Sequence, residues 1–485
     1  MSTAIEGLQP QLVWKYFAEI SRIPRGSKNE KAIAKYVMDT AKRFGLVAKQ
    51  DTAGNVVVKK SAHPSYTKLR SICLQGHLDM VCEKNAGTVH DFLKDPIVLV
   101  RKGNVLMANG TTLGADNGIA VATNLAIMED KALEHGPLEL LFTIDEETGL
   151  TGAQNLKSDF LESKTLMNLD SEEEGALYVG CSGGRDTLGT LSITPENAPK
   201  NAAPHHLRVK GLKGGHSGLE IDKNRGNAIK ILNRVLMKLS DLGVRLAAID
   251  GGNKRNAIPR ECEALVYVPK KQLTEAFRIV SEMRSAIKAE LILVDPDLAI
   301  TLTEAVGIKK ARVIKKRQQA ALTRVISSLP HGVLKMSSEI AGLIESSTNV
   351  AVVSTTAKTI TIATSQRSSV ASELNEAVDT ARDIFELAGA TAVSSDGYPG
   401  WKPDLHSKIL KIAKDSFKQL YGKEPLIKAI HAGLECGIIG EKFPGMDMVS
   451  FGPTLEGVHS PDEKIYIDTV EKFWKLLLTI LKNLN

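Results

Sequence analysis

Leu138-Glu139-Leu140-Leu141-Phe142-Thr143-Ile144-Asp145-Glu146-Glu147 passes from an apolar run of strand length directly into three acids. A short apolar run bounded by polar residues reads as a buried strand, which places the acids at its carboxyl end. The pattern occurs twice more. Upstream, Ile72-Cys73-Leu74-Gln75-Gly76-His77 leads into Leu78-Asp79; downstream, a run from Thr165 leads into Asn168-Leu169-Asp170. Between the upstream run and the central one, Gly114-Ala115-Asp116-Asn117-Gly118 introduces a helix over 119–128. Strands alternating with helices predict an α/β layer with a largely parallel or mixed sheet. In such sheets, sites form at the carboxyl ends of the strands.

Outward from this block, residues 10–46 read as two amphipathic helices broken around Ile23-Pro24-Arg25-Gly26-Ser27. From about residue 187 the texture changes. Strand 206–210, helix 227–239, strands 244–249 and 264–268, helix 273–291 and strand 298–302 follow one another. A similar order then recurs: helix 318–329, strands near 350–355 and 359–364, helix 370–388, strand 391–394. This predicts an inserted α+β domain of two similar halves. Tyr398-Pro399-Gly400-Trp401-Lys402-Pro403 marks a turn out of it, and helices 406–421 and 468–483 return to the first texture. The expected organisation is therefore a first domain over 1–186, an insertion over 187–402 and a return to the first domain over 403–485.

At 485 residues the chain exceeds one compact core. Its 62 basic and 56 acidic residues nearly balance, and aromatic content is 5%, so a polyanion-binding surface with stacking rings is not indicated. The basic run Lys309-Lys310-Ala311-Arg312-Val313-Ile314-Lys315-Lys316-Arg317 lacks interleaved aromatics and reads as a solvated face rather than a nucleic-acid contact. Five scattered cysteines without CxxC spacing argue against a disulfide framework and suit a cytoplasmic chain. The start, MSTAIEGLQP, lacks a signal-peptide pattern, and no apolar stretch approaches the ~20 residues of a membrane span. Neither a membrane nor a nucleic acid is an expected partner.

The acids and histidines have the chemistry of a centre for two divalent cations. His77 and Asp79 are two apart on one strand face, so a carboxylate can orient the imidazole that binds a metal. Asp116, in a glycine-rich turn, can bridge two cations about 3.5–4 Å apart with its two oxygens. Of Glu146 and Glu147, one can bind metal while the other faces a water as proton acceptor. Asp170 and the late His459 complete one protein ligand set per metal. Each piece alone also fits a turn, an N-cap or a solvated helix start. Four strand-end or turn placements together with a histidine in Val458-His459-Ser460-Pro461-Asp462-Glu463 separate the two readings.

Taken in order, GHLDMV, TTLGADNGIA, DEETGLTGA, NLDSEEEG, KGLKGGHSG, RNAIPRE, HAGLECG and GPTLEGVHSPDE resemble the aminoacyl-histidine dipeptidase family over nearly the whole chain. That family belongs to the co-catalytic zinc peptidases, with carnosinases, tripeptidases and glutamate carboxypeptidases. The resemblance implies a zinc-peptidase-like catalytic domain interrupted by a lid. It also implies two Zn2+ per subunit, with Co2+ or Mn2+ as substitutes, held by His77, Asp116, Glu147, Asp170 and His459. Glu146 would be the general base and Asp79 the partner of His77. His216 of GGHSG would stabilise the oxyanion. Asn256, Arg367, His431 and Glu435 would contact the substrate, Arg367 taking its carboxylate. The implied reaction is hydrolysis of unblocked dipeptides, Xaa-His and β-alanyl-histidine among them, by a cytoplasmic homodimer. A deacylase or carboxypeptidase acting on N-acyl amino acids is the competing reading within the same fold.

Overall fold

A computed structural model describes residues 3–308 and 312–484 and divides them into two compact units. The first comprises 1–180, 401–429 and 434–485; the second comprises 181–400 and 430–433.

The first unit is built on an eight-stranded sheet. Its order is Val47–Gln50, Val56–Lys60, Leu138–Thr143, Ile72–His77, Thr165–Asn168, Asp447–Ser450, Ala176–Cys181, Leu426–Ile430. The four strands from Leu138–Thr143 to Asp447–Ser450 run parallel. Ile72–His77 and Leu138–Thr143 are buried at every position, as strands covered on both faces require. Glu139 is tolerated inside this apolar strand because it accepts from the N–H groups of Glu162 and Ser163 and from the Ser163 hydroxyl. Helix Ala115–Glu129 packs on Ile72–His77, and helix Lys408–Tyr421 on Asp447–Ser450. The carboxyl ends of the parallel strands carry His77, the turn into Glu146, and Asp170.

The second unit explains the repeated element order. Strands Ala202–Lys210, Arg245–Gly251, Cys262–Pro269 and Ala299–Glu304, with helices Ala228–Ser240 and Leu273–Leu291, form a βαββαβ unit. Their order in the sheet is fourth, first, third, second. Gly183–Ser192, helix Lys316–Ser328, Ile344–Thr355, Thr359–Ser368, helix Ala371–Leu387 and Thr391–Ser394 repeat that topology. The first half is inserted between the first strand and first helix of the other. The second strands of the halves pair antiparallel at Gly251 and Val353, making one continuous sheet.

Local differences from the sequence reading have physical causes. Thr359–Ser368 continues four residues past the apolar stretch that suggested it, because Gln366, Arg367 and Ser368 are buried with polar partners. Part of the basic run, Lys309 to Ala311, lies outside the described residues. Arg312–Ile314 is a short strand paired with Pro195–Asn197, and Lys316 begins a helix, so the run is divided between elements. Among the described residues, no helix is long and apolar enough to cross a membrane.

Candidate metal centre and polar cluster of the second unit

In the first unit, Asp116 faces two imidazoles with its two oxygens. Oδ1 is 3.1 Å from Nε2 of His77, and Oδ2 is 3.1 Å from Nε2 of His459. Asp170 Oδ1 lies 3.6 Å from Nε2 of His77, and Glu147 Oε2 lies 3.0 Å from Nε2 of His459. Two triplets share Asp116: His77 with Asp170, and His459 with Glu147. Ligand atoms around a tetrahedral cation with bonds near 2.0–2.1 Å stand about 3.3 Å apart. The histidine-to-carboxylate distances in both triplets therefore fit divalent cations, and the N and O donors suit zinc, cobalt or manganese. Glu147 Oε1 is buried without a hydrogen-bond partner, as fits a carboxylate whose second oxygen also faces a cation.

Backbone hydrogen bonds hold these side chains in place. Asp79 Oδ1 lies 3.3 Å from His77 Nδ1 and accepts from the Glu146 N–H, while Oδ2 accepts from the Glu147 N–H and the Ser27 hydroxyl. Asp145 has φ of 47°, and its N–H donates to the buried Glu30. Asn117 accepts from the His77 N–H and donates to the Leu169 carbonyl, linking two strand ends beneath the centre. Asp116 and Asn117 leave helical torsions although they lie within helix Ala115–Glu129.

Charge is concentrated here. Burial works against a charged His77, but Asp170, Asp116 and Asp79 together raise its pKa well above the usual imidazole value. Hydrogen bonds to Asp116 and Glu147 push His459 up to about 11. Burial, reinforced by Glu435 and Glu147, pushes Glu146 up to about 8. A carboxylate cluster with this pull on protons calls for positive charge, which divalent cations supply. Glu435 is fully buried. Its Oε2 accepts from Gln75 and Thr143, its Oε1 has no partner, and burial raises its pKa to about 7.

The second unit brings together His216, Arg367 and His431. His216 Nδ1 accepts from the N–H groups of Gly218 and Leu219, both at 3.1 Å. That assigns the ring proton to Nε2, leaving Nε2–H available as a donor. Burial and the nearby Arg367 cation pull its pKa down to about 4, so the ring is neutral at physiological pH. Arg367 is buried rather than exposed at a strand end; Nη1 donates to the Tyr398 hydroxyl at 2.9 Å, and Nε has no partner. His431 Nε2 pairs with the Ser347 hydroxyl at 2.7 Å, its Nδ1 is buried without a partner, and burial pulls its pKa down to about 3. Asn256 is exposed, and its carbonyl accepts from the Ser217 N–H next to His216. Two halves of this unit contribute, His216 from the first and Arg367 with Ser347 from the second. Tyr398 and Ser347 escaped the sequence reading. The aromatic within the Tyr398-Pro399-Gly400 turn was the available signal for Tyr398; Ser347, in a serine- and threonine-rich strand, gave none.

A model described as peptidase family M20/M25/M40 matches residues 73–483. The cytosol non-specific dipeptidase of Escherichia coli (strain K12) is 40% identical over 478 residues, spanning 98% of each chain. The crystal structure of aminoacylhistidine dipeptidase from Vibrio alginolyticus superposes with a TM-score of 0.91 at 41% identity, covering 99% of this chain and 97% of that one. A tripeptidase from Staphylococcus aureus shares the fold, with a TM-score of 0.57, 17% identity and coverage of 98% and 99%.

Proposed function

The chain belongs to peptidase family M20/M25/M40, and from that premise we propose that it is a two-zinc dipeptidase. Its substrates are unblocked dipeptides, Xaa-His and β-alanyl-histidine among them. The observation that carries the reading is the placement of Asp116, one oxygen against His77 and the other against His459, with Asp170 and Glu147 completing the two sets.

Divalent cations bound there supply an acidified water and a Lewis acid for the scissile carbonyl. Glu146, which lies within reach of His77 and Glu147 but is not in either triplet that shares Asp116, takes the proton of the attacking water and delivers it to the leaving nitrogen. Nε2–H of His216 donates to the oxyanion, and a neutral ring fixed in this tautomer serves as a donor without becoming charged. Arg367 receives the substrate carboxylate with Tyr398 steadying its guanidinium, and Asn256 and His431 make further substrate contacts. Glu435, with one oxygen unpartnered, receives the free amine.

A dipeptide panel paired with N-acetylated counterparts, together with metal analysis of the purified protein, tests this. The expected result is two zinc ions per chain and turnover confined to peptides with a free amine. Faster hydrolysis of the N-acetyl forms would replace the reading with a deacylase.

A further inference from the structure

Residues 113–116 direct four consecutive N–H groups at one buried carboxylate. Glu463 Oε2 accepts from Leu113 at 2.7 Å and Gly114 at 2.9 Å; Oε1 accepts from Ala115 at 2.7 Å and Asp116 at 3.2 Å. Glu463 is 2% exposed. These N–H groups sit at the start of a helix, where no intrahelical acceptor reaches them, and the Glu463 carboxylate satisfies them instead.

Arg25 anchors the same loop from another side. Its Nη1 donates to the carbonyls of Leu78 and Asp79, and its Nη2 to the carbonyl of Gly114. Gly114 has φ of +68°, and a Cβ there would stand 2.6 Å from the guanidinium; at Gly118 it would stand 2.5 Å away. Glycine is therefore required on both sides of Asp116. Glu463 also shares a turn with His459, its N–H donating to the carbonyl of Ser460. One side chain thus ties the turn bearing His459 to the loop bearing Asp116, whose Oδ2 that histidine meets.

We propose that Glu463 is a positioning residue for the metal centre, aligning the Asp116 loop with the His459 turn so that both cations can be held. The inference rests on the reading of Asp116 as the shared ligand.

Zinc titration of the metal-stripped protein against a chromophoric chelator tests it, with thermal melting of the same metal-stripped samples. Glu139 is the comparison, since it too is a buried carboxylate holding loop N–H groups, at the opposite end of the strands. Glu463→Gln keeps the shape but turns amide hydrogens toward backbone donors. It should weaken zinc binding by about 10–100-fold, the range for outer partners of metal ligands. Glu139→Gln should lower the melting temperature at least as much and leave zinc affinity unchanged. Glu463→Asp, which keeps the charge, should recover part of the affinity, and it carries the test if Glu463→Gln does not fold. Unchanged zinc affinity in the Glu463 variants, or equal weakening by Glu139→Gln, overturns the inference. Asp116→Asn separates the two failures: if it binds two zinc ions as tightly as wild type, the shared-ligand reading itself falls.

Discussion

The backbone N–H of Glu146 donates to Oδ1 of Asp79 at 3.0 Å. The same carboxylate lies against Nδ1 of His77, so one side chain orients a candidate ligand and fixes the start of the segment bearing the candidate base. Asp79→Asn preserves volume but turns hydrogens toward one or more of these donors. We expect kcat to fall by about 10–100-fold and zinc affinity to weaken together, as for partners of metal-binding histidines. Steady-state kinetics alongside chelator competition measures both; a loss of kcat with full zinc affinity would remove His77 orientation from the account.

Glu146→Gln separates base from ligand. Gln keeps the size and cannot accept the proton, so turnover should drop by about 10²–10⁴-fold. Metal analysis should still give two zinc ions per chain. Loss of zinc together with activity would exchange the roles of Glu146 and Glu147.

Most candidate ligands are legible because they follow a local signal, either the end of an apolar run, as at His77 and Asp170, or a glycine-flanked turn, as at Asp116; His459 follows neither and stands out only beside the others. Glu463 had no such signal. Within Ser460-Pro461-Asp462-Glu463 it reads as a solvated acid, and its burial exists only because a loop 347 positions earlier brings it four N–H groups. Arg25 is equally disguised, since a buried guanidinium satisfied by carbonyls cannot be told from an exposed one by composition. Strand Gly183–Ser192 carries no legible strand signal, because Gly183, Gly184 and Gly189 interrupt its alternation. Those glycines are required by neighbours, Gly189 lying under the Phe385 ring and Gly184 against Tyr398.

Replacing His216 by Ala should leave zinc stoichiometry untouched and lower kcat by about 10²–10³-fold, the cost of one oxyanion donor. KM should change much less, because the contact strengthens only as negative charge develops. Equal kcat in the variant and wild type would leave His216 as a turn residue whose Nδ1 serves only the N–H groups of Gly218 and Leu219.

Arg367→Met should reduce kcat/KM for dipeptides by about 10- to 100-fold, the range for a lost hydrogen bond to a charged group. A dipeptide amide, lacking the carboxylate, should lose little. If both substrates suffered equally, Arg367 would be acting through the local structure, by way of Tyr398, rather than on the carboxylate.

A histidine away from the proposed site gives a pH test of the second unit. Burial, with Lys230 adding its positive charge, pulls His331 down to about 4 from an ordinary 6.5. Below 6.5 the unfolded chain binds a proton here that the folded chain does not take up until about pH 4. The unfolded state thus binds more protons in that window, and stability falls as pH drops through it. One proton corresponds to at most about 1.4 kcal/mol per pH unit. His331 Nδ1 stands 3.3 Å from Asn227 Nδ2, an acceptor role that a glutamine oxygen can assume. Thermal midpoints of wild type and His331→Gln, measured from pH 7.5 to 4.5, should differ by a constant amount above pH 7. Below pH 6.5 the variant's midpoint should decline less steeply than that of the wild type. Parallel acid limbs for the two proteins would show that His331 titrates alike in the folded and unfolded states, and would remove it from the acid sensitivity of this unit.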